Sequence, residues 1–447
     1  LLKIVVRETI RMMEKKEISI FWFRRDSRLN DNTGLYHALK SGLPVIPIFI
    51  FDTDILSKLE NKKDARVQFI HSTVHSIKKE LNALNRDLLI FKDTVLNVFK
   101  QLSDTYTIKA IYCNRDYEPN AISRDNHIAA FASTHSISFH SYKDQVVFEK
   151  DEILNDSGKP YRVYTPYKNK WLAKLKTNPI HFFTSEKLLS ALHPLSPSLM
   201  IELRSLGFKE SSITIPPIHI ARKTIQEYDK TRNFPFLTDG TSLLGIHFRF
   251  GTISIREKVI KSQPLNEVWL SELIWREFFM QILYHFPDVV TNSFQPKFNI
   301  IEWRTDADDF EKWCNGQTGY PLVDAGMREL NATGHMHNRV RMVVASFLTK
   351  HLFLDWRWGE AYFAQKLLDY DLSANNGNWQ WAAGTGADAQ PYFRIFNPIA
   401  QQQKFDPDFV YIKKWVPEYG TSSYIQPMIE HKSATDRAKK MFSILKN

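Results

Sequence analysis

The chain has 447 residues, room for two or three domains with separate cores, and an ordinary 43% hydrophobic content. Its formal charge of +10 and pI near 9.2 favour a polyanionic partner such as nucleic acid, although a generally basic soluble protein would show the same balance. Two cysteines, Cys113 and Cys314, exclude a disulfide framework and point to a reducing cytoplasm, and no stretch approaches the ~20 apolar residues of a membrane span.

The opening LLKIVVRETIRMM lacks the apolar core and cleavage site of a secretory signal, and Met13 precedes EKKEISIFWF, the start of the first strand. Residues 1–12 therefore carry no argument. Five short β-rich runs follow at 18–23 (ISIFWF), 45–51 (VIPIFIF), 87–92 (DLLIFK), 108–113 (IKAIYC) and 137–142 (ISFHSY). Helical periodicity separates them at 64–85 and 94–106. Strands buried on both faces and alternating with helices predict a Rossmann-like, doubly wound parallel sheet over 17–145. No G-x-G-x-x-G follows the first strand, so the dinucleotide fingerprint of such sheets is missing.

Residues 146–235 read as a connector with many prolines, including Pro179, Pro194, Pro197, Pro216 and Pro217. Beyond it the β pattern stops, and long amphipathic runs at 267–285, 321–332 and 336–353 predict an all-α domain over 236–447. Eight of the 11 Trp, from Trp269 to Trp381, fall in that domain within a quarter of the chain.

On the 267–285 helix, Trp269, Glu272, Trp275/Arg276 and Phe279 share one face. A carboxylate between two Trp is costly against apolar neighbours unless partnered, and the residues alone do not separate that case from a Glu on a solvated flank. The run from His335 to Leu348 begins basic and ends apolar; its His335-x-His337 pair has no Cys or His cluster to complete a metal site, so no metal is expected. Residues 369–398, DYDLSANNGNWQWAAGTGADAQPYFRIFNP, interleave acids, amides and Trp too tightly for a simple core helix or surface loop. They point to the wall of a cavity that holds something flat and polar-edged.

Together these stretches resemble the photolyase/cryptochrome flavoproteins. The resemblance runs from Glu17 to Lys446 through FWFRRDSRLNDN (21–32), FDTDIL (51–56), GTSLL (240–244), ELIWREFF (272–279), TGYPLVDAGMREL (318–330), MHNRVRM (336–342), the 369–398 segment and KFDPDFVYIKKWVPE (404–418). It implies an α/β antenna domain followed by an all-α FAD-binding domain. MHNRVRM and ANNGNWQWAAGTGADAQPYFRIFNP look like class I cyclobutane pyrimidine dimer photolyases, and no signalling tail is expected beyond Asn447. The implied activity is light-driven repair of pyrimidine dimers in UV-damaged DNA by electron transfer from reduced FAD (FADH⁻), by a monomer without membrane attachment. The alternative is a blue-light photoreceptor, a cryptochrome without repair activity.

The resemblance also implies roles for residues. Tyr228, Thr241, Ser242, Leu243, Leu244, Gly245, Trp269, Arg276, Arg341, Asp369, Tyr370 and Asp371 match FAD-contacting positions, with Asp369 the expected ion partner of Arg341. Asn375 matches the residue facing flavin N5, where a neutral amide would favour the reduced cofactor. Glu272, Trp275, Met342 and Trp381 would line the dimer site, with Asn338 and Arg339 nearby; Trp275 and Trp381 offer stacking walls and Glu272 a partner for the pyrimidine edge. Arg232, Arg339, Arg394 and Gln401 match positions that meet the DNA backbone. Trp379, Trp356 and Trp303 match a chain that re-reduces oxidised flavin by electron hopping.

Three departures accompany the resemblance. Leu243, Leu244 and Gly245 stand where relatives often have Arg-Leu-Ser, which removes one hydroxyl donor to the FAD phosphates. Ser27 replaces a usual Leu. Val289-Val290 replaces a Cys-Lys pair found near the folate in some relatives. Asn114 and Glu118, in NRDYEP, resemble an antenna region common to several subgroups, so methenyltetrahydrofolate, a deazaflavin, a second flavin or no second chromophore all stay open.

Overall fold

The computed structural model describes residues 16–389, 391 and 393–443. Residues 1–12, Lys446, Asn447, and Gln390 and Tyr392 of the 369–398 segment lie outside the described residues. The chain divides into two compact units, one of residues up to 147 with 181–212 and 250–257, the other of 148–180, 213–249 and 258 onwards. Residues 146–235 are thus shared between the units, and eight residues of the later chain return to the first.

The first unit is built on five parallel strands, β1 (Glu17–Phe23), β2 (Val45–Asp52), β3 (Leu89–Asp93), β4 (Thr107–Asn114) and β5 (Ser138–Tyr142), in the order β3-β2-β1-β4-β5. Alternate side chains of β1 and β2 feed two cores: Phe21, Phe23, Phe49 and Phe51 enter one, and Ile18, Ile20, Trp22, Ile46 and Ile48 the other. Each such fully buried side chain contributes roughly 1.5–3 kcal/mol, which is why these runs lack the polar-out alternation of a one-sided sheet. The predicted helices at 64–85 and 94–106 are Ala65–Asn82 and Val95–Thr105, capped by the side chains of Asp64 and Thr94. Two further helices, Thr33–Leu39 and Pro119–Thr134, were not legible: the first is seven residues long, and the second is rich in Asn, Ser, Asp and His.

The returning segment is held by charge. Arg256 pairs with Asp31 at 3.0 Å and Asp144 at 2.8 Å, and Arg28 pairs with the same Asp144 at 2.8 Å. All four side chains are buried, and the two guanidinium groups hold the Asp144 carboxyl below its usual range against the cost of burial.

The second unit is helical. The helices that concern the site are α1 (Tyr164–Thr177), α2 (Glu267–His285), α3 (Asn338–Ser346), α4 (Trp356–Lys366), α5 (Leu372–Ala383) and α6 (Pro398–Phe405). They enclose a core that includes Trp313, Val344, Phe347, Trp356, Phe363 and Trp379. Two glycines set helix spacing: a Cβ on Gly377 of α5 would fall 2.1 Å from the Phe279 ring of α2, and one on Gly359 of α4 the same distance from the Trp379 ring. The predicted 336–353 helix differs in detail. It starts at Asn338 because the His337 side chain caps it, accepting from Arg339 N, and after Ser346 it widens into a π turn over Phe347–Leu352, ended by left-handed Phe353. Among the described residues no helix is long and apolar enough to cross a membrane.

Candidate cofactor and substrate cavity

The second unit contains a cavity of about 710 Å³, within the range of sites for small molecules and cofactors. Its wall is built from α2, α3, α5, Phe363 of α4, the segment 367–371 that follows α4, and residues around Gly245. The 369–398 segment contributes most. Its first part forms α5, a capped helix: the Asp371 side chain accepts from Ser373 N at 3.1 Å and Ala374 N at 3.4 Å, and left-handed Gly384 ends it. The dense mixture of amides and Trp is resolved by the helix having separate faces. Asn375, Asn378, Trp379 and Trp381 reach the cavity, whereas Asn376 and Gln380 turn away and donate to Val289 O, both at 2.9 Å. Val289, which replaces one member of the Cys-Lys pair of some relatives, thus serves as a backbone anchor for α5.

One side of the cavity is ionic. Arg341 donates to both Asp369 oxygens at 3.2 and 3.0 Å and to Met336 O at 2.7 Å, while Asp371 pairs with Arg249 at 3.3 Å. Arg276 lies alongside, donating to Phe248 O at 3.4 Å. Gly245 completes this side: a Cβ there would stand 2.6 Å from the Cβ of Asp369, so the glycine that replaces a hydroxyl residue is required by the close approach of the acid. Asn375 spends its Nδ2 donors on Glu360 O (3.0 Å) and Glu360 Oε1 (2.8 Å), which leaves its Oδ1 as an acceptor. Burial raises the Glu360 carboxyl above its ordinary value, and the Asn375 hydrogen bond opposes that shift.

The other side is aromatic with one acid. Trp275 stacks on Tyr164 of α1 with centroids 3.6 Å apart and lies 5.5 Å from the Phe279 ring. Trp381, Met342 and Asn338 also line the cavity. Glu272 forms an ion pair with Arg232, whose guanidinium also sits 5.5 Å over the Tyr228 ring. Burial raises the Glu272 carboxyl and Arg232 pulls it back down.

Of the predicted residues, the cavity wall gathers Gly245, Arg276, Arg341, Asp369, Tyr370, Asp371 and Asn375 with Arg232, Glu272, Trp275, Asn338, Met342, Trp379 and Trp381. Tyr228, Thr241, Ser242, Leu243, Leu244 and Trp269 do not line it; Leu244 and Trp269 are buried, and Leu243 has a left-handed φ of 50°. Arg339 donates to Asn233 Oδ1 at 2.6 Å and lies 4.4 Å over the Phe405 ring of α6, which also carries Gln401. Arg394 is exposed. Trp356 and Trp379 share the main core, and Trp303 packs at its edge, 5.1 Å from Phe353. Of the histidine pair, His337 caps α3 and His335 faces Glu329 at 3.6 Å. In the first unit Asn114 is buried and donates to Asp26 and Asn32, and Glu118 pairs with Arg25 at 3.0 Å.

Lys168, Phe248, Arg249 and Asn378 also line the cavity and were not anticipated. Asn378 follows Asn375 by three positions, a helical spacing that could have flagged it. Arg249 and Lys168 come from segments with no periodic signal. The donor set suits a flavin dinucleotide: guanidinium groups for phosphates, acids for ribose hydroxyls, and an amide acceptor for a ring N–H.

Comparison with known proteins identifies two family models along the chain. The family model described as DNA photolyase matches residues 19–185, and that described as the FAD binding domain of DNA photolyase matches residues 269–423. The chain is 36% identical to a deoxyribodipyrimidine photo-lyase of Synechococcus, covering 96% of both chains, and 32% identical to that of Escherichia coli, covering 93% of this chain and 96% of the relative. Among solved structures, a class III photolyase from Agrobacterium tumefaciens superposes with a TM-score of 0.81 at 30% identity, covering 97% of this chain and 98% of the other. An archaeal photolyase from Sulfolobus tokodaii, described as having two FAD molecules, gives 0.76 at 33% identity over 96% of this chain and all of the other.

Proposed function

Because the chain belongs to the DNA photolyase family, we propose that it repairs cyclobutane pyrimidine dimers in UV-damaged DNA, the cavity taking FAD on its ionic side and the dimer on its aromatic side. The observation that carries this reading is that one cavity is lined both by Asn375 and the Asp369–Arg341 pair and by Glu272, Trp275, Met342 and Trp381. When bound, reduced FAD supplies photoinduced donation of one electron to the dimer and recovers it after the ring splits.

The chain's own residues bind, orient and tune. Arg276, Arg341 and Arg249 supply cationic donors to the pyrophosphate, and Asp369 and Asp371 hold two of them in place while offering oxygens to ribose hydroxyls. Asn375 Oδ1, fixed as an acceptor by Glu360, favours a flavin that carries a proton on its facing nitrogen. Trp275, braced by Tyr164, and Trp381 provide flat walls for an extruded lesion, and Glu272 bonds its polar edge. Arg232, Arg339, Arg394 and Gln401 take the DNA backbone. Exposure rises from Trp356 and Trp379, at 1% and 2%, to the partly buried Trp303, as an electron relay leading to solvent requires. A second, antenna chromophore is tested by the absorption spectrum before and after denaturation.

The deciding experiment illuminates the reduced holoenzyme with a dimer-containing oligonucleotide. Repair is expected, with a lower yield for Glu272→Ala. If light changes oligomeric state or partner binding while the dimers persist, the protein is a photoreceptor instead.

A further inference from the structure

Arg232 and Glu272 are both expected to contact substrate, yet in this structure they contact each other. Among the described residues Arg232 is the only hydrogen-bond or ion-pair partner shown for the Glu272 carboxylate. The guanidinium is one-quarter exposed and the carboxylate one-third, so the pair lies at the mouth of the cavity rather than in its floor. Neither group can serve the pair and a DNA strand at once: an Arg that takes a phosphate bidentately presents its fork to that phosphate, and a carboxylate that accepts from a pyrimidine N–H must turn its oxygen inward.

We infer that Arg232 and Glu272 form a latch over the empty lesion site, opened when a strand phosphate replaces the Glu272 carboxylate on Arg232 and releases that carboxyl group to the pyrimidine edge. The inference rests on the proposed repair of dimers for the identity of the strand.

The geometry around the pair supports an exchange rather than a permanent tie. Arg232 lies just beyond a four-residue helix, Tyr228–Thr231, and its guanidinium stays over the Tyr228 ring, a contact that can steer it between two anions. The next residue, Asn233, accepts from the guanidinium of Arg339, so a second arginine lies beside the pair. Glu272, by contrast, is fixed on the 19-residue α2, three residues from the braced Trp275, and has only its side-chain torsions to change. An exchange of one anion for another keeps Arg232 paired throughout. A strand without a lesion can supply the phosphate but not the pyrimidine edge in the pocket, so it leaves the released carboxylate, only one-third exposed, without its cationic partner, which is costly. The latch thereby penalises undamaged DNA and makes discrimination a property of the pair.

The test reads binding in the dark and needs no turnover. Affinity of the holoenzyme for undamaged and dimer-containing oligonucleotides is measured by fluorescence anisotropy across a salt series. Glu272→Gln, nearly isosteric, should free Arg232 for the backbone: binding of undamaged DNA should tighten and its log K against log salt slope should steepen by about one. In an Arg232→Met background the same Glu272→Gln change should alter neither quantity. An unchanged slope in Glu272→Gln, or an equal change in the Arg232→Met background, overturns the latch. Absence of dimer repair by the illuminated wild type would overturn the functional reading instead, whatever the slopes.

Discussion

Two tryptophans separated by one residue show how position decides role. Side chains two apart on a helix point about 200° from each other. Trp379 is 2% exposed and packs edge-on against Phe363 (5.0 Å) and Trp313 (6.1 Å), in space that only a glycine at position 359 leaves open. It meets the cavity only along its wall. Trp381, partly exposed, lines the cavity that also holds Glu272 and Trp275. Their substitutions should therefore separate cleanly. Trp379→Phe should abolish most light-driven reduction of oxidised enzyme and leave repair by chemically reduced enzyme near wild type. Trp381→Ala should cost about 1–3 kcal/mol of dimer binding, the usual worth of a base–aromatic stack, with photoreduction intact. Transient absorption and a binding titration read the two; equal loss of both functions in either variant would remove the division of labour.

At the scale of elements, the π turn Phe347–Leu352 is the least expected feature. It places Lys350 almost wholly inside the protein, where its Nζ donates to Ala383 O at the end of α5 and lies 3.8 Å over the Phe442 ring. A widened turn projects a side chain that a regular helix would direct elsewhere, and here it ties the end of α3 to the end of α5. Burial without an acidic partner lowers the ammonium to about 7 from the usual 10.5. The sign follows from linkage. Between those values the unfolded chain binds the extra proton, so this group makes stability rise with pH from about 7 towards 10.5, by at most about 1.4 kcal/mol per unit. Lys350→Met should flatten that rise. Thermal melts of both proteins at pH 7, 8 and 9 should show the variant's relative advantage greatest at pH 7 and shrinking upward; a constant difference would mean that Lys350 keeps its proton in the fold throughout this range.

For the whole molecule, what was legible in the sequence is what repeats. Strands buried on both faces show as apolar runs, and helices such as Glu267–His285 show as periodic faces, so the α/β and all-α parts could be read directly, while the residues of the cavity wall were named mainly through the family resemblance. Pairings between distant charges carry no period. The return of Arg256 to Asp31 and Asp144, the Asp371–Arg249 pair and the Arg232–Glu272 pair each join segments whose local pattern says nothing of the other. The same limit applies to net charge: an excess of ten cations gives a sign but not a location. The location can be tested through salt dependence, because each phosphate neutralised contributes a slope of about −0.9 in log K against log salt. Arg394, exposed beyond α5, is expected to meet the backbone and no base. Arg394→Ala should reduce the slope by about one to the same extent on damaged and undamaged duplexes, and leave their affinity ratio unchanged. Trp381→Ala should do the reverse, holding the slope and lowering the ratio. A loss of discrimination in Arg394→Ala would place that residue at the lesion, and the division between a cationic track that binds any strand and an aromatic cavity that selects the damaged one would fail.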